Sequence, residues 1–434
     1  MPRRSTAATA LPVDADADPV AAARAVLRKA GVPDDLPVAL IHDWLVTLRG
    51  GERVLDAFCE LFPGATLCTL VRQPGVATPR IEAMHHVSSL ADGLPMARKR
   101  HRWLLPVYPT AIEQLDLSAF ALVLSSSHCV AKGVIPAPGA IHVCYCHTPV
   151  RYAWDRTDDY IAGSHPLLRA AKPALHAAAR WLRQWDVATL GRVDAFVANS
   201  HNTADKIRRF WHKKATVVAP PVDAGQFLQT PRQHGPWPAP LADQTGPYDL
   251  VLGSLVPYKR VDLAVDAYRL LPDRTLVIVG DGPERARLQR RAPANVHFAG
   301  RAAEDDLARW YAGASLLVFP GEEDFGIVPL EAQASGTPVV ALGRGGALES
   351  VVGSGPGRTG VFFDDASPAG VAAAVTACVQ AGIRPEVCRQ HAAQFDRPQF
   401  LLQMAHAIAA AWTERHVQLP AQKARLTHPT GLAA

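Results

Sequence analysis

The stretch Glu323-Asp324-Phe325-Gly326-Ile327-Val328-Pro329-Leu330-Glu331, continued by Ala332-Gln333-Ala334-Ser335-Gly336-Thr337-Pro338-Val339-Val340, places two carboxylates eight residues apart. An apolar run, Ser315 to Phe319, precedes it and reads as a strand. Glu323 then falls in a loop, and Glu331 falls about one turn inside a short helix. Gly336 suits the left-handed cap that ends such a helix, and Val339 to Ala341 forms the next strand. Strand, glycine-bearing loop, helix and strand make a βαβ edge, which takes ligands at the carboxyl ends of its strands. The open N–H groups and partial positive charge of the helix N-terminus suit phosphate. A carboxylate at Glu331 can grip a ribose diol, while Glu323 faces a sugar.

Working outward, the same alternation covers most of the chain. Strands are expected at Val38–His42, Thr66–Leu70, Ala121–Ser125, Ile141–Cys146, Ala195–Ser200 and Thr216–Val218, with a helix over Glu52 to Leu61. A second set is expected at Leu250–Gly253, Leu276–Gly280, Val296–Ala299, Leu316–Phe319, Val339–Ala341 and Val361–Phe363. Alternating strands and helices imply parallel sheets. Between the sets, residues 231 to 247 hold five prolines and two glycines, the composition of a linker.

The bulk numbers agree with two globular domains. The chain has 434 residues, of which 48% are hydrophobic and 20% charged, and it carries a net charge of +5. That mild basicity permits contact with phosphate or anionic lipid and does not demand nucleic acid. No run of 18 uncharged apolar residues appears, and no apolar segment follows Arg3 and Arg4, so neither a membrane span nor a signal peptide is expected. Seven cysteines without framework spacing argue for a reducing compartment, the cytoplasm or the inner face of its membrane. Asp14, Asp16 and Asp18 look like a metal motif but read better as a solvated tail. Cys144, Cys146 and His147 do not read as zinc ligands, because both thiols share one strand face and lack a partner pair.

The two acids eight apart, with Phe-Gly between them and Glu-Ala-x-Ala-x-Gly-x-Pro-Val after, resemble the family 4 retaining glycosyltransferases of GT-B architecture. Further blocks narrow the resemblance: Ser125-Ser126-Ser127-His128, Ala131-Lys132-Gly133, Tyr145 to Asp155, Ala198-Asn199-Ser200 and Pro220-Pro221-Val222-Asp223. They are similar to the bacterial mannosyltransferases that build O-antigen and exopolysaccharide repeats on polyprenyl diphosphate lipids. The resemblance runs from about residue 38 to 400. It implies an α/β fold of two Rossmann-like domains facing a cleft. The expected order is a disordered tail (1–35), an acceptor-binding domain (36–228), a linker (229–247) and a donor-binding domain (248–398). A helix (399–418) then crosses back to the first domain, before a tail (419–434).

The resemblance also implies roles. Glu323, Lys259 and His147 are the expected catalytic group. Ser254, Lys259, Arg301, Phe325, Gly326, Ile327, Val328 and Glu331 are expected around the donor. His42, Asp43, Gly50, Gly51 and Glu52 are expected on the acceptor side. The family carries Arg where this chain has Ser254, so one phosphate cation is missing. Arg260, Arg301 and Arg344 are the candidates to replace it. Gly280-Asp281-Gly282-Pro283 lacks the third glycine of a dinucleotide fingerprint and reads as a structural turn. The implied co-substrate is a nucleotide sugar, GDP-mannose, with no cofactor and no metal. The implied partner is a lipid-linked oligosaccharide, and the basic and aromatic stretches Arg98 to Trp103 and Leu167 to Trp185 suit contact with an anionic membrane. A UDP-sugar donor, an epimerase or hydrolase of nucleotide sugars, and a degenerate scaffold subunit remain open.

Overall fold

The computed structural model describes residues 18–48, 50–155, 157–158, 172–228, 230, 232 and 236–427, with side chains to 417. Two parallel sheets carry the fold. The first joins β1 (Val38–Leu45), β2 (Thr66–Arg72), β3 (His85–Ser88), β4 (Leu122–Ser127), β5 (Ile141–Cys146), β6 (Ala195–Ala198) and β7 (Thr216–Val217) in the order β3-β2-β1-β4-β5-β6-β7. The second joins β8 (Tyr248–Leu252), β9 (Leu276–Val279), β10 (Val296–Gly300), β11 (Ala314–Phe319), β12 (Val339–Leu342) and β13 (Gly360–Phe363) in the order β10-β9-β8-β11-β12-β13. Each order reverses beside its first strand, and that switch point opens a crevice at the carboxyl ends. The expected strands all form, within a few residues of their expected ends. The addition is β3, an edge strand whose His85-His86-Val87-Ser88 is mostly exposed and so carries no strong apolar pattern.

The expectation of a disordered tail through residue 35 is corrected from residue 18 onward. Residues Pro19–Lys29 form helix α1, whose first turn is capped by the Asp18 carboxylate accepting from Val20 N at 2.9 Å. Ala23 and Leu27 bury one stripe of α1. Asp14 and Asp16 lie outside the described residues.

Helix α2 (Gly50–Leu61) follows β1 and packs beneath the first sheet. The long terminal helix, here α3 (Arg397–Thr427), returns from the second domain onto the first. Phe400 sits 5.7 Å from both Phe58 and Tyr145 by ring centroid. Arg397 secures the crossing by donating to Asp56, Glu60 and Asp223 at 2.8 to 2.9 Å. The two crossing segments lie side by side, joined where Val222 N donates to Phe395 O at 2.9 Å.

The described part of the proline-rich segment is not a free tether. Trp237 is buried in the core of the second domain and donates to Gly246 O at 2.9 Å. Gly280 and Gly282 are structural, as expected. Gly280 has φ of +147°, and a Cβ there would lie 1.8 Å from Gly253 O. A Cβ on Gly282 would lie 2.4 Å from Leu255 O. The second domain therefore brings its first two strand ends together only because these positions lack side chains.

Candidate active site

The two sheets face each other across a cleft of about 500 Å³. From the second domain, helix α4 (Ile327–Ala334) points its N-terminus at the cleft. Gly326 precedes it with φ of +94°, a conformation that leaves the Ile327 and Val328 N–H groups open. From the first domain, the Gly50 turn closes on the same helix. A Cβ on Gly50 would lie 2.6 Å from Ile327 Cδ1, so a larger residue there would have to push that side chain aside.

Glu323 and Lys259 meet at the floor of the cleft, with Nζ 2.7 Å from Oε1. Burial alone would pull the Lys259 ammonium down, but the Glu323 carboxylate outweighs it and the group sits above its ordinary value. Glu331 lies one turn inside α4, where Tyr311 Oη donates to Oε2 at 2.6 Å. Burial and then the Glu331 charge push the Tyr311 phenol well up, so it remains a donor. The other Glu331 oxygen is 3.2 Å from Arg53 of the first domain. Arg53 also reaches Glu304 at 3.2 Å and Asp223 at 3.6 Å.

Asp324, next to Glu323, is the hub between domains. It binds Arg151 through one oxygen and Lys206 Nζ at 2.6 Å through the other. Burial would raise its carboxyl, yet Arg151 and Lys206 hold it down at about 2. Ser200 Oγ donates to Asp324 O at 2.8 Å. Glu349 reaches across to cap the helix His201–Trp211, accepting from His201 N and Asn202 N at 2.6 and 2.8 Å.

The expected donor residues Ser254, Lys259, Arg301, Phe325, Gly326, Ile327, Val328 and Glu331 all line the cleft, as do Glu323, His147, Gly50 and Gly51. Three expected acceptor-side residues do not. His42 and Asp43 are fully buried and Glu52 is 5% exposed, all behind the cleft wall. Asp43 is an anchor: its carboxylate accepts from the backbone N–H groups of His128, Cys129, Val130 and Ala131 at 2.7 to 2.8 Å. Strand β1 continues through His42 and Asp43, and Glu52 lies in the first turn of α2, so all three side chains stay in the wall. Of the candidate substitutes for the missing cation, Arg301 lines the cleft and makes no ion pair among the described residues. Arg260 pairs with Asp262 at 3.3 Å, and neither it nor Arg344 is among the lining residues.

Sequence reasoning missed Arg53, Arg151, Asp324 and Tyr311. Arg151 stands within the Tyr145-to-Asp155 block, but nothing in its spacing reports a partner 173 positions away. Arg53 is the one cation of α2, beside the acids Glu52, Asp56 and Glu60, which is a weak signal.

The comparisons fall on both domains. A family model described as Glycosyltransferase Family 4 matches residues 49–226. One described as Glycosyl transferases group 1 matches residues 246–381. The D-inositol 3-phosphate glycosyltransferase of Jonesia denitrificans is 34% identical over 197 residues, 40% of this chain and 46% of the relative. The GDP-mannose-dependent alpha-mannosyltransferase of Mycolicibacterium smegmatis is 44% identical over 128 residues, 29% of this chain and 32% of the relative. The matched region thus spans less than half the length of these curated relatives. Among solved structures, Anabaena HepE in complex with UDP-glucose superposes with a TM-score of 0.60 at 16% identity, over 86% of this chain and 99% of HepE. WaaG, involved in lipopolysaccharide biosynthesis, superposes with a TM-score of 0.57 at 18% identity, over 85% of this chain and 98% of WaaG. At such identities the likeness shows the fold.

Proposed function

Because the chain belongs to the family 4 glycosyltransferases with the GT-B fold, we propose that it moves mannose from GDP-mannose to a lipid-linked oligosaccharide, with retention at the anomeric carbon. The observation that carries the transfer reading is one cleft holding Glu323, Lys259, the open N–H groups of α4 and Glu331. The mannose reading is supported by the mycobacterial mannosyltransferase relative.

In this reading the donor lies with its ribose on Glu331 and its diphosphate against Lys259 and the α4 N-terminus. The diphosphate competes with Glu323 for Lys259, which frees the Glu323 carboxylate to face the sugar. Arg301 offers the second cation that Ser254 does not. The acceptor hydroxyl attacks from the face the diphosphate leaves, and a leaving phosphate oxygen takes its proton. The positive charge that stabilises departure comes from lysine, arginine and helix, without a metal or a cofactor. Closure of the two domains excludes water and aligns the reactants.

Thermal melting tests the donor. A ligand that binds only the folded state stabilises it by about 2.7 kcal/mol at a concentration one hundred times its Kd. GDP-mannose and GDP are expected to raise the melting temperature, and UDP-glucose is not. A shift with UDP-glucose instead transfers the reading to a UDP-sugar enzyme. No shift with any nucleotide sugar favours a scaffold subunit.

The acceptor implies work at a membrane surface. No helix among the described residues is long and apolar enough to cross a membrane. Residues 90–107 combine Arg98, Lys99, Arg100 and Arg102 with exposed Leu90, Met96 and Trp103, the last two-thirds exposed. The Arg100 guanidinium lies 4.4 Å from the Trp103 ring. Of the second basic stretch, 167–171 lie outside the described residues, while Trp181 is exposed. Each basic group near an anionic surface contributes about 1 kcal/mol. Co-sedimentation with phosphatidylglycerol vesicles is therefore expected, falling at least tenfold in R98E/R100E. Equal binding by that variant removes this surface from the reading.

A further inference from the structure

Behind the cleft wall, three buried side chains form a file that ends on His147. The Ser126 hydroxyl, at the end of β4, lies 2.8 Å from His147 Nε2 and 3.2 Å from His42 Nδ1. The other His42 nitrogen, Nε2, lies 4.0 Å from Glu52 Oε1. His42 and Ser126 are fully buried. His42 and Glu52 are among the residues expected on the acceptor side that the structure withdraws from the cleft.

A hydroxyl has one proton. Ser126 can donate to one imidazole only and must accept from the other, so the two rings have linked tautomers. The Glu52 carboxylate decides which way the chain runs. A lone pair on His42 Nε2 would face that negative charge in a low-dielectric interior, whereas an N–H there is attracted to it. With the proton on Nε2, His42 Nδ1 accepts from the Ser126 hydroxyl. Ser126 Oγ then accepts from His147 Nε2–H. His147 Nδ1 is left unprotonated and has no partner among the described residues, while the ring lines the cleft. Burial, with His128 and His42 adding to it, holds His147 well below its usual range, so the ring is neutral. The remaining imidazole, His128, is 6.3 Å from His147 by ring centroid, and its Nδ1 lies 3.2 Å from Asp43, so it stays outside the file.

We propose that Glu52, His42 and Ser126 are positioning residues that hold His147 as its Nε2–H tautomer, so that Nδ1 accepts a hydrogen bond from a hydroxyl of the bound sugar. The file gives His147 a direction: it takes a hydroxyl that can donate, and it refuses a fluorine or an ether oxygen in the same place. The inference rests on the proposed sugar site only for the identity of that hydroxyl. The tautomer itself is a property of the protein alone.

Two measurements test it. In protein labelled with nitrogen-15 in its histidine rings, long-range proton–nitrogen correlation reports which ring nitrogen carries the proton. The His147 signals are assigned by their loss in His147→Gln. Protonated Nε2 and bare Nδ1 are expected, and the opposite tautomer overturns the proposal. Ser126→Ala leaves a buried Nε2–H without an acceptor, so the proton is expected to move to Nδ1, where water in the cleft receives it. An unchanged His147 spectrum in that variant overturns the coupling. The second measurement uses deoxy and deoxyfluoro forms of the donor sugar. At one hydroxyl position, fluorine is expected to lower kcat/KM as much as hydrogen does, about tenfold. Fluorine that restores full rate at every position overturns the acceptor role. If no nucleotide sugar is turned over at all, the transferase reading fails while the spectrum still decides the tautomer.

Discussion

Lys259→Ala is expected to lower kcat with the proposed donor, GDP-mannose, by about two to three orders of magnitude, the cost of removing one preorganised group from a developing charge. The ammonium is 2.7 Å from Glu323 and only 18% exposed, so its field acts through little water. The α4 N-terminus does not replace it, because a helix end contributes about 0.3 to 1 kcal/mol. Lys259→Arg is not expected to restore the rate. A Cβ on Gly253 would already lie 3.2 Å from Nζ, and one on Gly321 would lie 2.6 Å from the Lys259 Cα, so the pocket fits a slender side chain. The check is kcat beside the affinity for GDP by calorimetry. A variant that turns over within threefold of wild type would remove Lys259 from the mechanism.

Asp324→Asn destabilises the protein by about 3 to 5 kcal/mol at neutral pH. The amide keeps the shape of the carboxylate but leaves Arg151 without its counter-charge and Lys206 with Asp155 alone, where Asp324 is buried. The pH dependence gives an independent check. The folded carboxyl sits at about 2 against an ordinary 3.8, so it is depressed. Its contribution is therefore complete above about pH 4 and is lost as pH falls toward 2. Urea denaturation of both proteins at pH 7 and pH 2.5 is the measurement, with the gap between them expected to narrow at the lower pH. A gap that stays constant would falsify the hub role. Because Asp324 adjoins Glu323, the variant should also lose activity, through a loop no longer held to the first domain.

The strands and helices were legible because each obeys a local rule. Val339-Val340-Ala341-Leu342 is apolar throughout, as a strand buried on both faces must be, and Gly336 ends its helix where a left-handed residue is required. The edge strand His85–Ser88 was not legible, since edge strands bury little and so show little pattern. The helix at Pro19–Lys29 carries only a weak local signal, because its apolar stripe has meaning only once α3 lies across it.

The site divides along the same line. Glu323, Glu331 and Lys259 were found because motif and position agree: an acid in a loop, an acid inside a helix, and a cation after a first strand all follow from short stretches of chain. His42, Asp43 and Glu52 were expected on the acceptor side from the family resemblance, which does not tell which face of the wall a side chain takes. The ion pairs of Arg53 with Glu331 and of Arg151 with Asp324 join residues far apart in sequence, and their existence depends on how two domains meet. Periodicity, glycine and capping act within one turn or one strand, so the amino-acid order alone determined two parallel sheets, their crevice and the acids at its edge. Which charges neutralise one another across that crevice, and which way the protons run to His147, was decided only by the tertiary structure, because Coulomb and hydrogen-bond partners are chosen by distance in space.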